Sequence, residues 1–302
     1  MSRIDQALKQ AGGPVAVSNA SVASEPADEL GNFPMTGEWE SREPEAYRPS
    51  VPVTGARQRS GRRRAAGSSM ERLVISGAVE GLAVEQYRRL AAVLHHAQAA
   101  RNIKIVMVAS AEPAEGKSLT AANLALTLSE SYKRRVLLVD ADLRSPSLDI
   151  IFQVPYGKGL SESLRSRDEE PLNVVNLSSS LALLPGGNAD ADPMASLTSG
   201  RMQEILQEAT SSFDWVIVDT PPVGLMTDAH LLAAMADAAV LVIAAGSSPC
   251  EAVQRAIDSI GRDKIAGVVL NRVAGETMVA DYYNYRVSSA RRLTNDVPEV
   301  VG

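Results

Sequence analysis

The chain has 302 residues, an apolar content of 45% and a formal net charge of −6, so its composition is that of a globular protein and gives no sign of a nucleic-acid partner. Its one cysteine, Cys250, excludes an internal disulfide and fits a reducing compartment. The longest apolar region, 231–245, is interrupted by Asp237, and the N-terminus lacks the apolar core of a signal peptide. We therefore expect a cytoplasmic protein.

The first 74 residues differ in composition from the rest of the chain. Six of the sixteen prolines fall between Pro14 and Pro52, and the segment is rich in Ser, Gly, Ala and Glu. Because such a segment buries too little apolar surface to offset the entropy of ordering, we predict a disordered arm over 1–74. Helical spacing near its start predicts a short amphipathic helix that forms on a partner, with apolar residues Ile4, Ala7, Leu8 and Ala11.

The arm also contains a basic run. Runs of like charge are most often solvated, and an approach to anionic lipid beneath the membrane is the alternative use. The run consists of Arg57, Arg59, Arg62, Arg63 and Arg64.

From about residue 75 the chain alternates between apolar runs and helical patterns. The predicted strands are 103–110, 136–140, 181–184, 214–219, 238–244 and 266–271. The predicted helices are 82–99, 117–132, 199–211, 227–236 and 250–260. This alternation predicts an α/β fold, with a mainly parallel sheet covered by helices on both faces. We place it in one domain over 75–286, followed by a flexible C-terminal tail over 287–302.

The loop after the first predicted strand carries the clearest chemical motif. Residues 111–118 read Ala-Glu-Pro-Ala-Glu-Gly-Lys-Ser, between a strand and a helix, which is the context of a phosphate-binding P-loop. An ordinary glycine-containing turn is the alternative for this motif alone. Backbone amides in a P-loop point at phosphate oxygens, Lys117 would reach the β- and γ-phosphates, and Ser118 would bind Mg²⁺. The predicted nucleotide-binding residues here are Ala114, Glu115, Gly116, Lys117, Ser118 and Leu119.

Two further apolar runs end in carboxylates. The second predicted strand ends at Asp140, with Asp142 and Arg144 in the following loop, and the fourth ends at Asp219. A single aspartate at such a place is more often a helix cap or turn residue. Open α/β sheets bind ligands beyond the carboxyl ends of their strands, so three such elements in this order predict nucleotide binding. Mg²⁺ prefers oxygen ligands, and Ser118, Asp140 and Asp219 are the predicted metal ligands.

The tyrosines of the chain are clustered near its C-terminus. Three of the seven fall within four residues, at Tyr282, Tyr283 and Tyr285, after the last predicted strand. Tyrosine rings are stable when half-buried, so these rings could cover a patch of the domain surface. Phosphate acceptors are the alternative.

Together, these motifs resemble the Walker A, Walker A′ and Walker B motifs of the bacterial tyrosine kinases (BY-kinases) of capsule and exopolysaccharide loci. Asp140, Asp142 and Arg144 match the D-x-D-x-R of the Walker A′ pattern, and residues 219–223, Asp-Thr-Pro-Pro-Val, are similar to the Walker B region. The resemblance spans about residues 80–286. More narrowly, the chain resembles the stand-alone cytoplasmic autokinases of exosortase-linked exopolysaccharide loci. It implies a P-loop NTPase fold of MinD/ParA-like architecture.

The resemblance implies transfer of the γ-phosphoryl group of ATP to tyrosine, with Mg²⁺ as the metal. Lys117, Asp140, Asp142 and Asp219 are then the catalytic residues. The division of metal and base roles between Asp140 and Asp142 stays open. Arg144 is expected at the nucleotide site, where it stabilises Asp142 or contacts a neighbouring subunit.

The resemblance also assigns roles near the C-terminus. Tyr282, Tyr283 and Tyr285 become the phosphate acceptors, and the tail of one subunit enters the site of the next. Asn271, at the end of the last predicted strand, is expected to touch the adenine. From the residues alone, a side chain that satisfies its own turn is the alternative for Asn271.

Assembly and partners follow from the same resemblance. Relatives build a ring with E-x-x-R-x-x-R on an early helix; Glu85 and Arg88 match it, but the third position is Ala91, with Arg89 as a nearby substitute. An ordinary surface pair is the alternative for Glu85 and Arg88. The implied partners are further copies of the chain, a separate membrane-spanning activator and a cognate tyrosine phosphatase, with recruitment to the inner face of the membrane.

Two other functions share this fold. A MinD/ParA-type partitioning ATPase would carry a second lysine five residues before Lys117, where this chain has Glu112. A nucleotide-binding adaptor of a polysaccharide export complex would be expected to have lost a residue of the site. The site residues are all present: Lys117, Ser118, Asp140, Asp142 and Asp219.

Overall fold

The structure is a computed structural model. It describes residues 3–10, 72–74, 81–166, 171–224 and 226–273. Its strands are β1 (Ile105–Ser110), β2 (Val136–Asp140), β3 (Val175–Asn176), β4 (Leu181–Leu184), β5 (Trp215–Asp219), β6 (Ala238–Ala244) and β7 (Ile265–Asn271). Its helices are α1 (Arg3–Gln10), α2 (Gly81–Arg101), α3 (Lys117–Glu130), α4 (Leu148–Ile151), α5 (Leu160–Arg165), α6 (Met194–Leu197), α7 (Arg201–Ser212), α8 (Thr227–Met235) and α9 (Cys250–Ile260), with a 3₁₀ turn at Arg262–Lys264.

The seven strands form one sheet in the order β3-β4-β2-β5-β1-β6-β7. Neighbouring strands run parallel, except for the antiparallel pair of β3 and β4. All residues of β1, β2 and β5 are buried, because helices cover both faces of a parallel sheet. The predicted α/β fold is confirmed, and the ends of the longer predicted elements agree with the structure to within two residues.

Four short elements were not predicted: β3, α4, α5 and α6. They contain between two and six residues each. A segment of that length is too short to show a helical or strand period, and its conformation is set by the neighbours it packs against.

The core lies in two layers, one on each face of the sheet. Within β2, Leu137 and Val139 belong to one buried cluster, and Val136 and Leu138 belong to the other. Side chains of α5 to α9 complete the first layer, and side chains of α2, α3 and α4 complete the second. This arrangement leaves the carboxyl edge of the central strands for the loops that carry the polar motifs.

The N-terminal part of the chain contacts the domain at two places. Leu73, predicted as part of the disordered arm, is fully buried beside α3, and Val74 N–H donates to Asn123 Oδ1 at 2.9 Å. The helix α1 was predicted to form on a partner, and it packs instead on α7 of the same chain. The basic run of the arm and the tail 287–302 lie outside the described residues, so those assignments stay predictions.

No helix in the part of the chain that the structure describes combines the length and apolar character needed to cross a bilayer.

Candidate nucleotide-binding site

Three strand ends meet at the carboxyl edge of the sheet centre. β5 lies between β1 and β2, and Asp140 of β2 is directly opposite Asp219 of β5. The backbone N–H of Ala141 donates to the carbonyl of Asp219 at 2.8 Å, which joins the two strands beyond their last pair. Ser110 ends β1 immediately before the P-loop. The structure therefore brings the three polar motifs of the sequence to one edge of the sheet.

The loop from β1 to α3 has the backbone conformation of a phosphate cradle. Ala114 and Gly116 have positive φ angles of 63° and 97°. A Cβ on Gly116 would lie 2.1 Å from Asn271 Nδ2, so only glycine fits at this position. The carbonyl of Gly116 accepts the first helical hydrogen bond, from Thr120 N–H at 2.9 Å. The amides that open α3 are thereby aimed out of the loop, where phosphate oxygens bind.

Residues that follow β6 or end β7 form hydrogen bonds with this loop. The Ser248 hydroxyl donates to the buried Glu115 carboxylate and accepts a hydrogen bond from Ala244 N–H at 2.9 Å. Asn271 Nδ2 donates to the Glu115 carbonyl at 2.8 Å. The Glu115 side chain, predicted to bind nucleotide, is thus engaged within the protein. Any part that Glu115 takes in binding nucleotide would come from its backbone.

Asn271 has two partners in the structure. Its side-chain Nδ2 donates to the Glu115 carbonyl of the P-loop, and its Oδ1 accepts a hydrogen bond from Arg272 N–H at 2.9 Å. The second contact is the one expected for a side chain that satisfies its own turn. Arg272 in turn contacts the carbonyl of Ala114. The contact of Asn271 with adenine stays a prediction. What the geometry adds is a direct connection between the end of β7 and the P-loop.

Lys117 lies among the acidic side chains. Its Nζ donates to Asp219 Oδ1 at 2.8 Å and is 3.4 Å from Asp142 Oδ2 and 3.3 Å from Ser118 Oγ. Burial alone would lower the pKa of Lys117, but the negative charges of Asp219 and Asp142 outweigh it and raise the pKa above its ordinary value. Lys117 is therefore a protonated, positioned cation at the mouth of the loop.

Asp140 is fully buried, and its two oxygens differ. Oδ2 accepts hydrogen bonds from Ser147 N–H at 2.8 Å and Leu148 N–H at 2.9 Å, while Oδ1 has no hydrogen-bond partner within the described ranges. Burial, followed by the negative charge of Asp219, raises the pKa of Asp140 to about 8, although the two amides and Lys117 oppose the shift. A neutral carboxyl group is thus favoured at pH 7.

The acidic oxygens fit a magnesium ion. Asp219 Oδ2, like Asp140 Oδ1, is buried without a hydrogen-bond partner among the residues that the structure covers. Such oxygens are costly unless a ligand or ion uses them. The described part of the chain contains no cluster of three or more His, Cys, Asp or Glu that could hold a metal. Magnesium commonly binds one or two carboxylates and takes its other ligands from water and phosphate, so the pair suits it.

Arg144 pairs with a carboxylate other than Asp142, while its predicted contacts with the nucleotide and with a neighbouring subunit stay predictions. It was predicted to stabilise Asp142 or to contact a neighbouring subunit. The structure pairs it with Asp228: Nε donates to Oδ2 at 2.6 Å, Nη2 to Oδ1 at 3.2 Å, and Nη1 to the carbonyl of Ala191 at 2.6 Å. The hydrogen bond that Arg144 donates to Asp228 raises the pKa of Arg144. The bidentate pair connects the Walker A′ loop to the first turn of α8.

The pairing of Asp228 with Arg144 was not predicted from the sequence. Asp228 is 1% exposed, and an acid in the first turn of a helix is predicted from sequence as an ordinary cap residue. Its contact with Arg144 spans 84 positions, and no local pattern signals such a pair. An aspartate in the first turn of a helix is usually exposed, so the burial of Asp228 indicates a specific partner. Only the structure provides this signal.

The predicted assembly residues lie on α2, away from the site. Glu85 and Arg88 are half-exposed and 3.6 Å apart, and Tyr132 Oη donates to the Arg88 carbonyl at 3.1 Å. Ala91, at the third position of the motif, is fully buried against the core, whereas Arg89 is exposed. An arginine at position 91 would therefore have no place on this surface. Ring assembly stays a prediction.

The three candidate phosphate acceptors, Tyr282, Tyr283 and Tyr285, lie outside the described residues, which end at 273. The chain leaves β7 at Asn271, next to the P-loop, so the predicted acceptor tail begins at the rim of the site. Tyr282 is ten positions beyond residue 272, a span of at most about 36 Å.

Comparison with known proteins extends these observations. A family model described as ParA, NUBPL iron-transfer P-loop NTPase, matches residues 102–279. The tyrosine-protein kinase YwqD of Bacillus subtilis is 37% identical over 210 residues, which are 68% of this chain and 88% of YwqD. The putative tyrosine-protein kinase CapB of Staphylococcus aureus is 29% identical over 214 residues, covering 67% of this chain and 89% of CapB.

Solved structures lead to the same family. The kinase domain of the Escherichia coli tyrosine kinase ETK superposes with a TM-score of 0.58 at 30% sequence identity, and the match covers 63% of this chain and 77% of that domain. The resemblance inferred from the three motifs is thereby confirmed. The chain belongs to the ParA-type P-loop NTPases and, among them, to the bacterial tyrosine kinases of capsule and exopolysaccharide loci.

Proposed function

We propose that the protein is an ATP- and Mg²⁺-dependent protein-tyrosine autokinase. It transfers the γ-phosphoryl group to Tyr282, Tyr283 and Tyr285 and thereby regulates exopolysaccharide synthesis or export. The observation that carries the proposal is the position of Lys117, which lies between Asp219 and Asp142 at the mouth of a P-loop. The names of its relatives as tyrosine-protein kinases support the choice of tyrosine over water as the acceptor.

The P-loop binds and orients the phosphates. The amides that open α3 donate to phosphate oxygens, and Lys117 turns from Asp219 to the β- and γ-phosphates. Ser118, Asp219 and Asp140 hold the metal, and Mg²⁺ when bound supplies counter-charge to the phosphate oxygens. Loss of a proton from Asp140 accompanies this binding, because its free carboxyl group favours the neutral form at pH 7.

We assign the role of general base to Asp142. Its side chain is 12% exposed, whereas Asp140 is fully buried with one oxygen occupied by two amides, so a tyrosine hydroxyl reaches Asp142 more readily. The tyrosine oxygen forms a bond to the γ-phosphorus as the bond from that phosphorus to the β,γ-bridging oxygen breaks. The phenolic proton passes to the Asp142 carboxylate, and ADP leaves.

The proposed function includes several partners. Further copies of the chain provide the acceptor tails, in a ring formed through the Glu85–Arg88 surface of α2. A separate membrane-spanning protein activates the kinase and recruits it to the inner face of the membrane. A cognate tyrosine phosphatase removes the phosphate groups from its tyrosines. Membership of a family whose members are named in capsule and exopolysaccharide synthesis supports this assignment.

The experiment incubates the full chain with ATP and Mg²⁺ and maps phosphotyrosine by mass spectrometry. We expect phosphate on the tail tyrosines in the wild type and none in Lys117→Met. Lys133→Met is the matched control, because Lys133 is 80% exposed and contacts only Glu130 at 3.9 Å among the described residues, so it should retain activity. Equal labelling in Lys117→Met would contradict the proposal. ATP hydrolysis without phosphotyrosine would favour a partitioning-type ATPase.

A further inference from the structure

The proposed function gives no role to the N-terminal helix α1, although α1 packs on the domain. Ile4 is fully buried in the same apolar cluster as Met202, Ile205 and Leu206 of α7. The family model begins at residue 102, so α1 lies outside the region that matches it. The contact between α1 and α7 is therefore a property of this chain beyond the shared kinase domain.

One carboxylate on α7 recognises the start of α1. Glu208 Oε2 accepts a hydrogen bond from Arg3 Nε at 3.1 Å, and its Oε1 accepts one from Ile4 N–H at 3.2 Å. The side chains of Arg3 and Glu208 are 18% and 16% exposed, so the pair is largely shielded from water. The first amides of a helix lack internal partners and carry partial positive charge, which a carboxylate satisfies. The contact between α1 and α7 therefore combines directional hydrogen bonds with apolar packing.

The folding of α1 depends on this contact. An isolated helix of eight residues is marginal in water, because nucleation fixes several residues for one hydrogen bond. The buried Ile4 and the two hydrogen bonds of Glu208 supply the missing stability. The helix and its binding surface therefore form or separate together.

The two anchors of the arm lie on opposite faces of the sheet. α1 packs in the layer of α7, whereas Leu73 packs in the layer of α3. Residues 11–71, which connect the two anchors, lie outside the described part of the chain. The predicted assembly surface, with Glu85 and Arg88, is on the face opposite α7, so occupation of the α7 surface leaves it free.

We propose that the outer face of α7 around Glu204 and Glu208, which we call the α7 docking surface, is a binding site for a short amphipathic helix that begins with Arg-Ile. Its occupant is α1 of the same chain. The helix binds this surface reversibly. When α1 is released, the surface presents an apolar site flanked by two carboxylates.

Hydrogen–deuterium exchange on the full chain tests the proposal through the amides of residues 3–10 and 202–209. We expect protection of both segments in the wild type. Ile4→Asp and Glu208→Arg should each speed exchange of residues 3–10 by about 10- to 100-fold, as for loss of a charged hydrogen bond in a shielded contact. The double variant Arg3→Glu with Glu208→Arg restores an ion pair but not the hydrogen bond from Ile4 N–H, because an arginine cannot accept it, so we expect only part of the protection to return. Gln203→Ala, at an exposed position of the same helix, is the matched control.

A mixing experiment identifies the chain that supplies the helix. Arg3→Glu chains keep Glu208, and Glu208→Arg chains keep Arg3, so the intact pair in a mixture forms only between two chains. We expect mixing to leave exchange of residues 3–10 fast. Restored protection would show that a second copy occupies the α7 docking surface and would overturn the same-chain assignment. Unprotected residues 3–10 in the wild type, or protection unchanged in Ile4→Asp, would overturn the site itself.

Discussion

Two groups of charged residues in this protein match motifs of the same family and differ in their surroundings. At the carboxyl edge of the sheet, Lys117 and Asp219 are 2.8 Å apart, with side chains 8% and 0% exposed. On α2, Glu85 and Arg88 are 3.6 Å apart, with side chains 48% and 54% exposed. The site motifs match the family pattern in full, whereas the α2 motif matches in two of its three positions, and the two groups also differ in burial.

The difference determines what each group can do. Charges held away from water interact strongly, and buried oxygens without partners, as on Asp140 and Asp219, are costly unless a ligand uses them. An exposed pair contributes about 0–1 kcal/mol, because water screens it and its side chains lose entropy. In the proposed function the buried group carries the chemistry, and the exposed pair is free to contact another molecule.

The largest expected effect comes from the base. Asp142→Asn should lower the rate of tyrosine phosphorylation by about 10²- to 10⁴-fold, because the amide cannot accept the phenolic proton. Binding of a fluorescent ATP analogue should change far less than the rate. Asp258→Asn, on the exposed surface of α9, is the control and should keep the wild-type rate. A wild-type rate in Asp142→Asn would remove Asp142 from the mechanism.

The next prediction tests whether Arg144 contributes to the buried group of charged residues at the nucleotide site. Arg144→Lys and Asp228→Asn each break the bidentate pair, and a shift of the Walker A′ loop by about 1 Å can lower the turnover rate by about 100-fold. Arg255→Lys is the matched control, because Arg255 is exposed on α9. Initial rates at saturating ATP measure the effect. If Arg144→Lys and Arg255→Lys behave alike, the pair of Arg144 and Asp228 has no part in positioning Asp142.

A smaller effect concerns Asp140 and pH in the protein without nucleotide. The unfolded chain releases the Asp140 proton near its ordinary pKa of 3.8, whereas the folded chain holds it to about 8. Between these values folding takes up a proton, so wild-type stability falls as pH rises, and Asp140→Asn removes that contribution. The free energy of unfolding of Asp140→Asn should therefore rise, relative to that of the wild type, by on the order of 1 kcal/mol per pH unit across this window.

Urea denaturation from pH 5 to pH 9 measures the difference in unfolding free energy between these two proteins. The difference should level off above about pH 8, where both states of the wild type have lost the proton. That upper range serves as the internal control. A difference that is constant over the whole range, or that shrinks as pH rises, would contradict a raised pKa for Asp140.

The smallest effect on stability is expected at the exposed pair. Glu85→Ala and Arg88→Ala should each change the free energy of unfolding by less than about 0.5 kcal/mol. If the α2 surface assembles the protein, the same variants should lower the sedimentation coefficient of the assembled species. Thr210→Ala, on a different helix, is the control for sedimentation. Loss of stability above about 1 kcal/mol would show that the pair stabilises the fold.

The sequence predicted the strands, the P-loop and the strand-end acids because each depends on residues that are close in the chain. Lys117, Asp140 and Asp219 were assigned to one site, since parallel strands end at the same edge. It did not predict the pairing of Arg144 with Asp228 or of Glu115 with Ser248, which join residues 84 and 133 positions apart. Amphipathic spacing predicted α1 but could not identify its binding surface. Those contacts depend on how the layers pack, which local patterns do not encode.

The most direct test of the account counts ADP and phosphotyrosine in the same reaction. If Lys117 and Asp142 direct the γ-phosphoryl group to tyrosine, each ADP formed by the full chain should be matched by one phosphotyrosine. Free phosphate should stay near the background, and the reaction should stop when the tail is fully modified. Continued release of free phosphate without phosphotyrosine would contradict the account, because the site would then transfer to water.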